Sequence, residues 1–142
     1  MKLVVLAVGR LRDPALRSVA DDYLGRIRRF CRCDEVELRS EDDLAHRWPP
    51  EAWRILLDAD GDRVSSVELS RRLERWSSSG KGVVAFAIGG AEGFSSRLPR
   101  DCEARLSLST LTLPHRLARI VLFEQLYRSL TLIRNVPYAR EA

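Results

Sequence analysis

The stretch KLVVLAVGRLRDP, residues 2–14, decides the fold class. It opens with an unbroken apolar run from Lys2 to Val8, which Gly9 closes, and such a run is typical of a parallel strand buried on both faces. Asp13 and Pro14 then stand in the order of a helix N-cap and a first helical position. Apolar residues recur at helical spacing to about Phe30, so the stretch predicts a buried strand followed by an amphipathic helix.

Strands and helices alternate along the rest of the chain. Apolar runs predict strands at residues 35–38, 54–57 and 83–88, and a strand that leads into a loop at 106–113. Helical signals predict a helix capped by Ser65 and Glu68 that ends near Ser77, a short helix at 98–104, and a long helix from Arg116 to about Ile133, opened by Pro114. This alternation predicts a single α/β domain, residues 1–142, built on a parallel sheet.

Three stretches between these elements are predicted to be irregular. Residues 58–62, DADGD, are typical of a turn. Residues 41–53 are polar and contain Pro49-Pro50, which predicts a loop with at most one turn of helix. Residues 135–142 are expected to form a tail after the last helix.

Composition narrows the classes of function. The chain is 45% hydrophobic and 31% charged, which is ordinary for a globular protein, and no apolar run approaches the roughly 20 residues that span a bilayer. The N-terminus lacks the cleavage site of a signal peptide, so we expect a cytoplasmic protein without a membrane partner. Cys31, Cys33 and Cys102 fit neither a disulfide framework nor a zinc site, and we expect no metal.

The charge permits a nucleic-acid partner without requiring one. The formal net charge is +4, and Lys2 and Lys81 are the only lysines among 24 basic residues. Arginine suits phosphate recognition because its planar guanidinium bonds in a bidentate manner. A GC-rich genome would produce the same bias toward arginine codons, so RNA binding needs other evidence.

Ligands of open α/β sheets bind beyond the carboxyl ends of the strands. The glycine-rich stretch 89–93, GGAEG, follows one such end, and its glycines allow a close approach of the backbone. It does not match the dinucleotide-binding pattern GxGxxG, and a plain glycine turn explains it as well as a cofactor loop does.

The stretch LSLSTLTLPH, residues 106–115, alternates leucines with small hydroxyl residues. A strand with its leucines buried on one face would produce this pattern. A loop whose backbone reads the edge of an adenine while leucines sandwich the ring would produce it as well. The pattern alone fits both structures.

The final helix carries an unusual charge distribution. His115, Arg116 and Arg119 stand near its N-terminal end, where the helix macrodipole disfavours cations. An anionic ligand nearby would explain this placement, and so would arginines that are simply solvated. Glu124 and Arg128 are spaced i and i+4 in the favourable orientation, which a simple surface ion pair explains.

Together these segments resemble one family. The segment IGGAEGF (88–94), followed by LSLSTLTLPHRLARIVLFEQLYRSLTLIRNVPYARE (106–141), resembles the ribosomal RNA large subunit methyltransferase H family of small SPOUT-class enzymes. MKLVVLAVGRLRD (1–13) and LLDADGDRVSSVELSRRLERW (56–76) extend the resemblance to nearly the whole chain.

The resemblance has implications for fold and activity. It implies a parallel α/β sheet with a C-terminal trefoil knot, a rare feature that counting strands does not reveal. It implies a homodimer that holds S-adenosyl-L-methionine in the knot. The implied reaction is methylation of N3 of a pseudouridine in large-subunit (23S) ribosomal RNA within the assembled ribosome.

The resemblance also implies roles for individual residues. The implied cofactor contacts are Leu57, Gly89, Leu108, Ser109, Thr110, Leu111, Thr112 and Leu113. Arg128 would stabilise the anion that develops on the base, and Tyr138 and Arg140 of one subunit would complete the site on the other. His115, Arg119 and Asn135 are candidates for orientation or RNA contact.

The chain departs from the family in two places. The family tail usually reads Tyr-His-Arg, or Tyr-His with another basic residue, whereas this chain has Tyr138-Ala139-Arg140. Residues 41–53 are also shorter than usual. The first departure leaves a second hypothesis open, a divergent relative that binds cofactor or RNA with reduced or no turnover. A third hypothesis is methylation of another substrate.

Overall fold

The protein is described by a computed structural model over residues 1–95 and 102–138. The strands are β1 (Lys2–Val8), β2 (Arg32–Leu38), β3 (Trp53–Arg63), β4 (Val83–Ile88) and β5 (Ala104–Ser107). The helices are α1 (Pro14–Ile27), α2 (Leu44–Arg47), α3 (Ser66–Ser77) and α4 (His115–Ile133), and a 3₁₀ turn covers Glu41–Asp43. The strands form one parallel sheet in the order β2-β1-β4-β3-β5, which confirms the predicted α/β class.

The apolar run of β1 is explained by its place inside the sheet. Leu3, Val5 and Ala7 face the larger hydrophobic core, to which α1, α3 and α4 contribute. Val4 and Leu6 point to the opposite face, where the short segment around α2 covers a smaller core. Because both faces are covered, every position between the ends of the strand is apolar.

The predicted helix starts are confirmed by their capping bonds. The Asp13 carboxylate accepts hydrogen bonds from the N–H groups of Ala15 (2.8 Å) and Leu16 (3.2 Å). The Ser65 hydroxyl accepts one from the N–H of Glu68 at 3.1 Å. The prediction for residues 41–53 is confirmed up to residue 52, since this part holds only the 3₁₀ turn and the one-turn α2, whereas Trp53 already begins β3.

The turn predicted at 58–62 is wrong. Strand β3 continues through this stretch to Arg63, and its register against β5 shifts because Leu57 and Asp62 both pair with Leu106. A side chain on Gly61 would place its Cβ 2.7 Å from the backbone nitrogen of Leu106. The residues that suggested a turn therefore form an irregularity within the strand, where glycine lets two backbones approach closely.

Two other boundaries differ from the prediction. Strand β2 begins at Arg32 rather than Glu35, and α1 ends at Ile27 rather than near Phe30. Ala104, the last residue of the predicted short helix, begins β5, while residues 98–101 of that helix lie outside the described residues. The trefoil knot that the resemblance implies stays a prediction.

Helix α4 lies between α1 and α3 on the larger core. Its inner face buries Leu122, Phe123, Leu126 and Leu130. The neighbouring strands are parallel, and α4 begins beside their carboxyl ends, since His115 and Ala118 lie close to Leu57 and Gly89. None of the helices over residues 1–95 and 102–138 is long and apolar enough to cross a membrane.

Candidate active site

A cleft opens beyond the carboxyl ends of β3, β4 and β5, beside the first turn of α4. Its volume is about 220 Å³, somewhat below the roughly 300 to 1,000 Å³ of most small-molecule sites. Its wall includes all eight residues that the resemblance implied for cofactor contact, namely Leu57, Gly89, Leu108, Ser109, Thr110, Leu111, Thr112 and Leu113. The fold therefore brings together residues that are up to 56 positions apart, from Leu57 to Leu113.

The glycine stretch forms a tight turn in the cleft wall. The N–H of Gly93 donates to the carbonyl of Gly90 at 3.0 Å, and Gly93 has a φ of 71°, in the left-handed region. A Cβ on Gly89 would lie 2.7 Å from the carbonyl carbon of Gly93. The turn therefore depends on a close contact between two backbones.

Residues 108–113 form a loop, because β5 ends at Ser107. The Ser107 hydroxyl donates to the carbonyl of Ser109 at 2.9 Å, and the Ser109 hydroxyl accepts from the N–H of Leu111 at 2.9 Å. The serines therefore fold the loop instead of lining the outside of a strand. The Leu111 side chain is 74% exposed at the cleft, where a ligand would cover it.

Asp58 also lines the cleft, although the resemblance assigned it no role. Its carboxylate accepts from the N–H of Asp60 at 2.9 Å and from the Arg105 guanidinium at 3.3 Å. Its position directly after the apolar part of β3 was the signal available in the sequence. The contact with Arg105 depends on the pairing of β3 with β5.

Arg119 lies outside the cleft in a buried ion network. Its Nη1 donates to Glu35 Oε2 at 3.0 Å and to Glu37 Oε2 at 2.7 Å, and its Nη2 donates to the carbonyl of Gly9 at 3.0 Å. The side chain is 2% exposed. The sequence suggested that Arg119 contacts RNA or orients a ligand, but this burial leaves it a structural role between β1, β2 and α4.

The network lowers the pKa of one of its carboxylates. Burial raises the pKa of Glu37, but the N–H of Leu11 and the guanidiniums of Arg119 and Arg17 outweigh burial, so this pKa lies below its usual range. Arg17 also pairs with Glu35. Glu37 therefore stays ionised at neutral pH beside its cationic partners.

Replacing Arg119 with alanine should destabilise the fold by about 3 kcal/mol, because Glu35 and Glu37 would keep only Arg17 as a cationic partner. The lowered pKa of Glu37 means that the stabilisation is complete above about pH 5 and is lost as the pH falls through the folded pKa. R119A should therefore lose less stability than wild type on acidification. Urea unfolding at several pH values measures both effects, with the exposed Arg116→Ala as control. A free energy of unfolding for R119A equal to that of the wild type would refute the expectation.

Glu124, Arg128 and Tyr138 form a cluster on the outer side of α4. Arg128 donates to Glu124 Oε2 from Nε (3.1 Å) and Nη2 (2.8 Å), and the Tyr138 hydroxyl donates to the same oxygen at 2.8 Å. The Arg128 guanidinium also lies 5.0 Å from the centre of the Tyr138 ring. The pair Glu124–Arg128 is therefore part of a larger assembly, which its spacing in the sequence did not reveal.

The cluster keeps its donors protonated. Burial and the hydrogen bond to Glu124 raise the pKa of Tyr138 well above its usual value. The same carboxylate raises the pKa of Arg128, chiefly by hydrogen bonding. Arg128 therefore stays cationic at neutral pH and has further N–H groups for an anion, whereas the single O–H of Tyr138 is already donated to Glu124 and Tyr138 is unsuited to act as a base.

Within one chain this cluster is remote from the cleft. Ala118 is the last residue of α4 that lines the cleft, and the ten positions from there to Arg128 correspond to about 15 Å along the helix axis. A single chain therefore does not bring Arg128 and Tyr138 to the predicted cofactor residues.

The structure places the remaining predicted residues as follows. His115 is half-buried and lines the cleft. Asn135 is exposed and has a φ of 57°, the left-handed conformation that commonly ends a helix, so its position follows α4 and lies at the far end from the cleft. Arg140 and Ala139 lie outside the described residues. Over the described ranges no cluster of histidine, cysteine or carboxylate side chains could hold a metal ion.

The fold and the cleft define an α/β protein with a small-molecule site at the carboxyl edge of a parallel sheet. A family model described as "Predicted SPOUT methyltransferase" matches residues 1–139, and the chain belongs to that family.

Several curated proteins are similar over nearly their full length. A protein of Sorangium cellulosum named ribosomal RNA large subunit methyltransferase H is 49% identical over 98% of this chain and 99% of its own. A protein with the same name from Cereibacter sphaeroides is 39% identical, and one from Anaeromyxobacter dehalogenans is 37% identical. In each case the match covers 99% of the relative's own length. The Cereibacter match covers 99% of this chain and the Anaeromyxobacter match covers 97%.

A solved structure supports the fold. A probable methylase family protein from Haemophilus influenzae superimposes with a TM-score of 0.61 at 11% identity. The match covers 94% of this chain and 68% of that protein. At this identity the likeness concerns the fold alone.

Proposed function

We propose that the protein transfers a methyl group from S-adenosyl-L-methionine to N3 of a pseudouridine in large-subunit (23S) ribosomal RNA, within the ribosome. The observation that carries the proposal is the single cleft whose wall includes all eight implied cofactor residues. The names of the relatives supply the substrate class. An enzyme that modifies ribosomes would work in the cytoplasm.

The cleft suits this cofactor chemically. Leu57, Leu108 and Leu113 offer apolar surface for an adenine ring, and Leu111 stands at the edge as a side chain that can cover it. Asp58 offers a carboxylate to a hydroxyl or ammonium group. The bound cofactor supplies an electrophilic methyl group on its sulfonium, and the protein must align the nucleophilic nitrogen with that methyl.

Among the described residues that line the cleft there is no arginine or lysine to face an anion. N3 of a pseudouridine must lose its proton, and cations or hydrogen-bond donors that face the resulting anion lower the barrier. Arg128 is a suitable donor, and Glu124, which accepts from both Arg128 and Tyr138, holds the two side chains in place. Since they lie about 15 Å along α4 from the cleft, a second chain must supply them.

The outer face of α4 suits such a dimer. Leu117, Val121, Glu124 and Arg128 follow one another at the i, i+4, i+7 and i+11 spacing of a single stripe, and Leu117 is 44% exposed. Two copies of α4 packed antiparallel along this stripe would bring Arg128 of one subunit beside Leu117, at the cleft end, of the other. We therefore propose a homodimer with composite sites.

The direct test uses ribosomes from a strain that lacks the modification. The protein and labelled S-adenosylmethionine should transfer label to the large-subunit RNA, with the methyl group mapped to one pseudouridine by mass spectrometry. A small protein has little surface for recognising one base, so whole ribosomes should be much better substrates than free RNA. Absence of cofactor binding in calorimetry would refute the proposal.

Replacing Glu124 with glutamine should lower kcat by about tenfold to a hundredfold, because a neutral amide holds Arg128 and Tyr138 less strongly. The KM for S-adenosylmethionine should change little. Single-turnover assays with ribosomes measure the effect, and Glu124→Asp, which keeps the charge on a shorter side chain, should recover part of the rate. A Glu124→Gln protein with the wild-type rate would remove Glu124 from the site.

The second hypothesis, a divergent relative with reduced or no turnover, rests on Ala139, where the family usually has histidine. If that side chain limits turnover, Ala139→His should raise the methylation rate severalfold without altering cofactor affinity. If the wild type is active and Ala139→His leaves its rate unchanged, Ala139 does not limit turnover. Cofactor binding without methyl transfer by the wild type would favour the second hypothesis.

A further inference from the structure

Three exposed arginines, Arg10, Arg12 and Arg116, form a surface that we call the arginine rim. The first two lie in the loop between β1 and α1, and the third lies in the first turn of α4. Within the described part of the chain, none of them makes an ion pair or a side-chain hydrogen bond. Their guanidiniums are therefore available to a partner.

The buried network around Arg119 joins the two parts of the rim. Arg119 donates to the carbonyl of Gly9 at 3.0 Å, and Glu37 accepts both from Arg119 (2.7 Å) and from the N–H of Leu11 (2.7 Å). The loop that carries Arg10 and Arg12 is thereby tied to α4 one turn beyond Arg116. The rim is thus held in place by the fold.

The charge of the rim is not compensated by its surroundings. Glu35 and Glu37 are already paired with Arg17 and Arg119. The Asp13 carboxylate accepts two N–H groups at the start of α1. Arg116 also stands at the positive end of the α4 macrodipole, so it lowers stability unless an anion approaches.

The rim borders the cleft. Strand β1 pairs with β4, and a Cβ on Gly90, in the cleft wall, would lie 3.5 Å from the side chain of Val8, directly before the rim loop. We infer that the arginine rim binds backbone phosphates of the ribosomal RNA that flank the target base. This inference rests on the proposed function and adds the surface that docks the substrate.

The test compares two triple variants with equal loss of charge. The rim variant carries Arg10→Gln, Arg12→Gln and Arg116→Gln. The control carries Arg29→Gln, Arg32→Gln and Arg47→Gln, which remove exposed arginines that do not line the cleft. Binding to unmodified large ribosomal subunits is measured by filter retention from 50 to 300 mM salt, and methylation is measured in parallel.

The rim variant should bind ribosomal subunits about tenfold or more weakly, and its slope of log affinity against log salt should fall by about two to three. Its KM for ribosomes should rise while kcat and cofactor affinity stay within about twofold. The control should keep most of the wild-type affinity. Equal affinities and slopes for the two variants would overturn the inference, even if the wild type methylates ribosomes. If wild type and both variants bind ribosomal subunits without methylating them, and only the rim variant binds more weakly, the proposed function is overturned. The inference that the arginine rim binds RNA phosphates would still stand.

Discussion

Replacing Gly89 with alanine is expected to lower the affinity for S-adenosylmethionine at least about a hundredfold, since a displacement of about 1 Å in a site has effects of this size. The added Cβ would lie 2.7 Å from the carbonyl carbon of Gly93 and 3.0 Å from its Cα. Both atoms belong to the backbone, so the glycine turn itself must move. That turn is part of the cleft wall, and calorimetry measures the loss.

Gly25→Ala is the matched control. Gly25 lies in α1, and a Cβ there meets no atom within 4 Å. Alanine favours a helix over glycine by up to about 1 kcal/mol, so this variant should keep cofactor affinity and gain thermal stability. A folded G89A protein with normal cofactor affinity would show that the glycine turn does not shape the cofactor site.

Replacing Arg128 with alanine should lower turnover by about a hundredfold to a thousandfold, the effect of removing one donor to a developing anion. Cofactor affinity should stay near normal, because Arg128 is proposed to face the base and is not among the residues that line the cleft. Arg134→Ala, an exposed arginine just after the same helix, is the control. Single-turnover methylation gives the rate, and an unchanged rate would exclude Arg128 from the mechanism.

Mixing the two inactive variants tests the composite site directly. In the proposed dimer, a mixed pair would place the intact cleft of the R128A subunit opposite the intact Arg128 of the G89A subunit. Random exchange makes half of the dimers mixed, each with one complete site, so activity should return to about one quarter of the wild-type level. If each subunit held a complete site by itself, mixing would restore nothing.

The sequence predicted the elements whose signals are local. The apolar run of β1, the caps at Asp13 and Ser65 and the long final helix all appear where the residues placed them. Each of these signals depends on neighbours within a few positions, so no knowledge of the fold was needed. The eight cofactor residues came from the resemblance, and their common position in one cleft agrees with it.

Other features depend on residues that are distant in the chain. Arg119 meets carboxylates 82 and 84 positions away, so only the packing of α4 against β2 turned a candidate for RNA contact into a buried structural residue. The stretch 58–62 has the composition of a turn, and pairing with β5 made it part of a strand. The spacing of Glu124 and Arg128 predicted a simple surface ion pair, but Tyr138 folds back and donates a hydrogen bond to Glu124, so the pair is part of a three-residue cluster.

By itself, therefore, the sequence determined the succession of strands and helices and the types of residue at the carboxyl edge of the sheet. The tertiary structure decided which charges are buried, which are shared and which stay exposed. The physical reason is that helix capping and apolar periodicity act over a few residues, whereas an ion pair depends on where two distant segments come to lie.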